Sequence, residues 1–470
     1  MRNIATFGEY LCFVEEVFFR ILTQNRTAGN TCMELAKFQR RAAKETFAKE
    51  SDIPKYLRFF EKDIVVSNGL VGFLSDFQND IVIHQKVISR LRRRSLHING
   101  KTNRSLHENQ RRAVKEAPSS DISIITGGAG TGKTTIINQI LHDFNRTYQG
   151  KKNAFVLAPT GKAARRAKET IVEPCSISTV HYFAGWGHPL NRRDYQRIAS
   201  ADFIIVDESS MLSAEMFCLL MQITDAPIIL VGDINQLPAV EAGNILKDLI
   251  DLGVPAYYLT ENFRSDSDIL VNANAFLDVT QDFRGLITSE CFQLIKIKEE
   301  DATRVLANVD ADVVLTPFRR EDFEGSCTSI NQLVHQSRGF QNGLYHVGEP
   351  VILKKNNTKL GYANGETGYV TAVSLDAIYI DLGDRTVALK DENELELNYA
   401  CTIHKSQGSE YDSIAIYCPN SPLITKNTLY TAITRAKHLV QIYYTEDSVF
   451  EAAFRRNAYE RSTFLSAMAA

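Results

Sequence analysis

Apolar positions recur at intervals of three and four along the start of the chain. Phe7, Tyr10, Leu11, Val14, Val17, Phe18, Ile21 and Leu22 make one stripe, the spacing of a helix that buries one face. "KFQRRAAKETFAKE" continues in that style, so residues 1–103 are expected to form a helical domain. "NGKTN", Asn99 to Asn103, has linker composition, and Ser105 and Glu108 stand at capping-box spacing ahead of a new helix. A domain boundary near 103 follows. From there to about 262 the pattern changes: short, wholly apolar runs ("ISIIT", "AFVLA", "FIIVDE", "PIILVGD") alternate with amphipathic stretches. Strands buried on both faces and joined by crossover helices read this way. It changes again between about 346 and 397, where "EPVILKK", "GYVTAVS", "AIYIDLG" and "RTVALK" are short, alternating and separated by turn signals. This predicts a small β-barrel inserted into a second α/β domain, whose pattern resumes at "YACTIHKSQG". The expected division is 1–103, 104–257, 258–345 together with 398–470, and the insert 346–397.

A length of 470 residues suits two to four such domains. Hydrophobic residues at 44% and charged residues at 23% exclude a wholly disordered or fibrous chain. No apolar run reaches membrane-spanning length, and Glu9, Glu15 and Glu16 interrupt the apolar stripe that a secretory segment would need. The expectation is a cytoplasmic protein without a membrane partner. Eight cysteines are scattered without a CxxC pair, which supports neither a structural zinc nor a disulfide framework. Net charge is only −3, but it is uneven. Residues 1–105 carry 18 Lys and Arg against 11 Asp and Glu, and the remainder 35 against 45. The basic excess peaks at "RLRRR", Arg90 to Arg94, which reads as a solvated helix end or as a docking patch for nucleic acid or a partner.

The stretch "GGAGTGKTT" fits G-x-x-x-x-G-K-[ST] at Gly127, Gly132, Lys133 and Thr134, between an apolar strand and a helix expected to begin at Thr134. Glycines let backbone N–H groups turn inward on phosphates and the helix N-terminus adds its dipole. Lys133 supplies a point charge at the β/γ-phosphates, and Thr134 can ligate Mg²⁺. Gly127, Gly128, Ala129, Gly130, Thr131, Gly132, Lys133, Thr134 and Thr135 are therefore the expected nucleotide cradle. In "FIIVDESSM", Asp207 ends an apolar strand and can hold the metal, while Glu208 can activate water in line with the γ-phosphate. Gln236 in "LVGDINQLPAV" follows a fourth strand and can sense the γ-phosphate. The chain contains no "NKxD" guanine reader, which favours a motor-type ATPase, with ATP and Mg²⁺ as cofactors, over a GTPase.

The ordered series "HENQ", "GGAGTGKTT", "LAPTGKAARR", "STVHYF", "IIVDESSM", "LVGDINQLPAV", "LTENFRS", "YACTIHKSQGSEYD" and "LYTAITRAKH" resembles the motifs of superfamily 1B DNA helicases, specifically the RecD-like group that includes the phage helicase Dda. The motifs span about 105–445, and "RRNAYERSTFL" is similar to the ending of RecD-like chains. The resemblance implies two RecA-like P-loop NTPase domains with ATP between them, single-stranded DNA across the top and 5′ to 3′ translocation. It implies that Gln110 recognises adenine and that Arg264 and Arg435 reach the γ-phosphate from the second domain. Gln407, Gly408 and Glu410 would link nucleotide to DNA, with Thr402 and His404 nearer the strand. Phosphate-backbone contacts need donors more than charge, so Pro159, Thr160, Thr179 and His181 are the expected first-domain track, with Thr316 and Pro317 opposite. The insert resembles the SH3-like domain of the family, with Lys354, Lys355 and Lys359 as its basic edge. Residues of about 183–200 stand where the family carries a duplex-splitting pin. Here that segment is short, and its Trp186 lies in a Gly/Pro turn able to stack on a base.

The expected partners are single-stranded and forked duplex DNA, in replication, recombination or repair. Two other readings stay open: a RecD-like subunit that docks through its basic N-terminal domain, and an RNA helicase of the Upf-like branch.

Overall fold

The computed structural model describes residues 7–93, 95–98, 105–186, 189–263, 268–278, 280, 283–340, 345–355, 357, 360, 362–383 and 385–469. Its first large sheet has six parallel strands in the order Ser176–Thr179, Ala154–Ala158, Phe203–Val206, Ile228–Gly232, Ile122–Gly127 and Ala256–Leu259. The four central strands are buried along their whole length, which is why they read as unbroken apolar runs. A second sheet is also parallel, in the order Phe292–Lys296, Ala436–Tyr444, Tyr411–Cys418, Val313–Thr316 and Ala400–Thr402. In both sheets the loops at the carboxyl ends of the strands carry the motif residues, where an open α/β sheet places its ligands.

The segment expected to form a barrel is a five-stranded antiparallel sheet ordered Thr386–Leu389, Ile378–Asp381, Thr367–Val373, Pro350–Leu353 and Leu395–Leu397, with no pairing between its two edges among the described residues. Its base is pinned to the second domain by Glu349, which is fully buried. That carboxylate accepts from the Tyr399 hydroxyl and the His346 N–H and pairs with the His335 ring. Arg165 of the first domain reaches this sheet from the other side, donating to the Leu382 carbonyl at 3.0 Å and lying 3.4 Å from Glu366.

Three expectations are corrected. The N-terminal region is not purely helical: Cys32–Glu34, Leu70–Phe73 and Ile64–Ser67 form an antiparallel sheet beside the Phe7–Thr27 and Leu35–Thr46 helices. Its hairpin turns at Asn68 and Gly69, whose φ values of 48° and 74° are those a two-residue turn of this hand demands. Nor does the chain divide near 103. The Leu74–Leu91 helix packs Ile83 and Val87 into the core of the first large sheet. Arg90, 1% exposed, donates to the carbonyls of Thr224 and Ala226 and lies 3.7 Å from Asp121. The head of the basic run is thus a buried staple between elements, not a docking group.

The tail, finally, does not stay with the second domain. After the Ser448–Arg455 helix it crosses to the first domain and the N-terminal region. Arg461 donates to the carbonyls of Ala239, Glu241 and Gly243. Thr31 and Cys32 donate their N–H groups to the Ser462 carbonyl, Thr463 donates to Asp248, and the Leu465 N–H donates to Asp80. Phe464 lies over Gly72, where a Cβ would stand 2.8 Å from its ring. No helix among the described residues is long and apolar enough to cross a membrane.

Candidate functional site

The glycine-rich loop joins the Ile122–Gly127 strand to the Lys133–Tyr148 helix, which starts one residue before its expected beginning. Gly132 holds φ 81°, a left-handed conformation that costs a side chain energy and glycine nothing. Lys133 donates from Nζ to the carbonyls of Gly127 and Gly128 at 2.7 and 2.8 Å. Gln110, 5% exposed, spans the same loop: its Nε2 donates to the Thr131 carbonyl at 3.0 Å and its Oε1 accepts from the His107 N–H. Asn262 and the Phe263 N–H close over the Ala129 and Gly130 carbonyls. Arg264 lies outside the described residues.

Opposite the loop, Asp207 and Glu208 follow the Phe203–Val206 strand. Glu208 has φ 50° and ψ 37°, a left-handed conformation uncommon outside glycine, and its N–H donates to Asp207 at 2.9 Å. Burial, then the neighbouring Glu208 charge, push the Asp207 carboxyl up to about 6, against the pull of Lys133 and Arg166. Two adjacent carboxylates held against their own repulsion, with Thr134 on the first turn of the facing helix, form a set of hard oxygen donors that suits a divalent cation such as Mg²⁺.

The second domain enters the site along one helix, Lys426–Ile433, and the turn after it. Asn427 donates to the Asn235 carbonyl, Thr431 accepts the Leu237 N–H, and the Tyr430 hydroxyl donates to Asp233 at 2.9 Å. Gln407 donates to the Leu237 carbonyl from the same side. The loop that carries Gln236 is therefore held largely by the other domain, and Gln236 itself donates to Asp233 at 3.2 Å. Arg435, 4% exposed, donates to the Thr431 and Ser409 carbonyls, with Glu208 its strongest opposite charge. Arg166 crosses the cleft in the other direction, pairing with Glu410 and reaching the Gly408 carbonyl.

Beside this cleft runs a groove of about 900 Å³. Pro159, Thr160, Thr179, His181, Trp186, His404 and Gln407 all line it. Thr160 and Thr179 are helix N-caps, accepting the N–H groups of Ala163 and Tyr182. Each keeps its hydroxyl proton to donate elsewhere. Burial lowers the pKa of both His181 and His404, so near neutral pH they offer a neutral ring. Trp186 is 44% exposed and stands edge-on to His181 at 5.5 Å.

Two expected strand contacts differ. Thr316 is fully buried and donates to the Gly325 carbonyl, so its side chain faces the second domain's interior; only Pro317 beside it is partly exposed. Thr402 caps the turn at Lys405 and does not line the groove. The expected pin is a pair of short helices, Val180–Ala184 and Arg192–Ala199, with Gly187 and His188 between them outside the described residues.

The sequence reading passed over Lys162, Lys405, Tyr362 and Asn364 on the groove walls. Lys162 was visible inside "TGKAARR", yet burial, which lowers its pKa to about 8, and the lack of a hydrogen-bond partner for Nζ among the described residues appear only in the fold. Tyr430 and Asp233 were passed over because each read as part of an apolar element.

Comparison with known proteins gives a consistent picture. The AAA domain model matches residues 110–242, and the UvrD-like helicase C-terminal domain model matches residues 397–443. The RecBCD enzyme subunit RecD of Mycolicibacterium smegmatis is 30% identical over 408 residues, covering 75% of this chain and 73% of that one. The ATP-dependent RecD2 DNA helicase of Deinococcus radiodurans is 29% identical over 362 residues, 72% of this chain and 49% of the relative. Among solved structures, Bacteroides Pif1 bound to single-stranded DNA superposes with a TM-score of 0.51 at 19% identity, over 73% of this chain and 94% of that one. The Pif1 helicases solved at forked double-stranded DNA give the same score, a likeness of fold.

Proposed function

Since this chain belongs to the RecD-like group of superfamily 1B, a group of ATP-dependent DNA helicases, we propose that it couples ATP hydrolysis to 5′ to 3′ movement along single-stranded DNA and to the opening of forked duplexes. The observation that carries this reading is the meeting of two sheets at one cleft. The phosphate loop and the Asp207–Glu208 pair come from the first domain, and Arg435 and Gln407 from the second.

In that cleft Lys133 leaves the Gly127 and Gly128 carbonyls for the β/γ-phosphates, and Glu208 accepts the proton of the attacking water. Asp207 and Thr134 would hold Mg²⁺, whose charge would offset that of the phosphates. Arg435 faces Glu208 from the other domain, so its charge completes the site only as the cleft closes. Gln407 joins the two functions, lining the groove while donating to Leu237 in the loop that carries Gln236. Gln110 reads the adenine at the loop's outer edge. Thr160, Thr179 and Lys162 supply donors to the DNA backbone, and the 346–397 insert, acting as the SH3-like domain, covers the groove through Arg165 and Glu366.

A second reading, docking on a larger complex, draws on the N-terminal region, where Phe47 and Phe59 are 79% and 59% exposed within the basic first 105 residues.

The test is ATP turnover measured alone, with single-stranded DNA and with RNA, followed by unwinding of forks bearing one tail. The expected result is manyfold stimulation by DNA that falls as salt rises, with unwinding from a 5′ tail and none from a 3′ tail alone. Equal stimulation by RNA would favour the Upf-like alternative, and stimulation by neither would favour the docking subunit. Efficient unwinding from only the 3′ tail would overturn the direction.

A further inference from the structure

Each described group expected to meet the γ-phosphate rests on a protein acceptor in this structure. Lys133 donates to the Gly127 and Gly128 carbonyls, Gln236 to Asp233, and Arg435 to the Thr431 and Ser409 carbonyls. A fourth residue shares that situation. Tyr430, 2% exposed, projects from the second domain so that its hydroxyl would lie 2.7 Å from a Cβ at Gly128, the residue whose carbonyl holds Lys133. The hydroxyl donates to Asp233 at 2.9 Å.

The tie between domains does not depend on that hydroxyl. Asn427 and Thr431, on the same helix, already hold the backbone of Asn235 and Leu237. Nor is the tyrosine filling space alone, because a phenylalanine would pack the same ring. What the hydroxyl adds is a donor at the end of the cradle reached by Lys133. Burial and the Asp233 carboxylate keep it protonated, so it can donate to one anionic acceptor or another.

We propose that Tyr430 distinguishes ATP from ADP: its hydroxyl stays on Asp233 when ADP is bound, and exchanges Asp233 for a γ-phosphate oxygen when ATP is bound. The exchange gives the second domain a nucleotide-dependent contact in addition to its arginines. It rests on the nucleotide-site reading above.

The test is calorimetric binding of Mg-ADP and of the non-hydrolysable Mg-adenylyl imidodiphosphate to the full chain without DNA. For Tyr430→Phe, the triphosphate analogue should bind about fivefold more weakly, the margin by which the γ-phosphate exceeds Asp233 as the hydroxyl's acceptor. ADP affinity should stay within about twofold of wild type, which also reports that the variant is folded. An unchanged ratio, an equal loss for both ligands, or tighter analogue binding would overturn the proposal. Should Tyr430→Phe fail to fold, Asp233→Asn decides. A neutral, weaker competing acceptor should move the ratio the other way, toward the triphosphate, and a ratio that stays or falls overturns the exchange. Wild-type protein that binds neither nucleotide would overturn the nucleotide site itself and this inference with it.

Discussion

Among the described residues beside the phosphate loop, Glu208 is the one that pays a backbone penalty without being glycine. A single left-handed non-glycine residue costs on the order of 1–3 kcal/mol, and here the turn sets two carboxylates side by side at the end of a buried strand. Glu208→Gln keeps the shape and removes the base, so nucleotide affinity should persist while turnover falls by about 10²–10⁴. Lys133→Ala should instead lose both, because the charge that clamps the phosphates is gone. Equilibrium binding beside steady-state turnover separates the two, and a Glu208→Gln variant that hydrolyses at the wild-type rate would remove Glu208 from the mechanism. At this scale much was legible. The loop, the Asp–Glu pair and the position of Gln236 each need a particular residue type at a fixed spacing, and spacing survives in a one-dimensional string. Thr316 was misread because a threonine at a strand end looks the same whether its hydroxyl turns outward or, as here, to the Gly325 carbonyl.

Elements were legible where burial was symmetrical and obscure where it depended on distant chain. Parallel strands announced themselves as apolar runs. The Asn68–Gly69 hairpin was equally available, as an "NG" between two β-rich stretches, but the helical stripe before it dominated the reading. Neither the docking of the Leu74–Leu91 helix nor that of the tail could be seen, since the first depends on partners more than a hundred positions away and the second on partners more than two hundred away. The tail's anchors have a measurable consequence. Burial pushes Asp80 and Asp248 up to about 7, well above the usual carboxylate range. Asp80 faces Thr31, the Leu465 N–H and the charge of Asp76, which Arg26 pairs. Asp248 faces Thr463, Asp80, Lys247 and Asp251, with Arg461 nearby. Between about 4 and 7 the folded state holds protons the unfolded chain has released, so this pair makes stability fall as pH rises through that window. Asp80→Asn keeps an acceptor for Leu465 and cannot ionise. Scanning calorimetry should find its unfolding midpoint above wild type at pH 8 and equal to it near pH 4. A midpoint below wild type at pH 8 would show that the ionised carboxylate is stabilising.

At the scale of the whole molecule, two α/β domains close one cleft while the insert reaches back to the first domain through Arg165. Removing residues 350–397 behind a short Gly/Ser linker leaves Glu349 and its partners in place and touches no nucleotide-site residue. Basal turnover should therefore survive, and affinity for single-stranded DNA, read by fluorescence anisotropy, should fall at least several-fold as the groove loses Tyr362, Asn364 and the Arg165 closure. Loss of basal turnover in a folded deletion variant would mean that the insert shapes the nucleotide cleft as well.

The tail has a further consequence, in time. Ser462 donates to Asn30 and Phe464 to Thr31 across 432 and 433 positions of chain. At roughly 5–20 residues per second of synthesis, the N-terminal region waits about 20–90 seconds on the ribosome before the segment that covers it exists. Until then Gly72 lacks the Phe464 ring, and Asp80 and Asp248 lack the tail groups they accept from. A nascent chain that stalls between Asp248 and Ser462 presents an open apolar seam beside two uncovered acids, so these contacts mark whether the covering segment has been made.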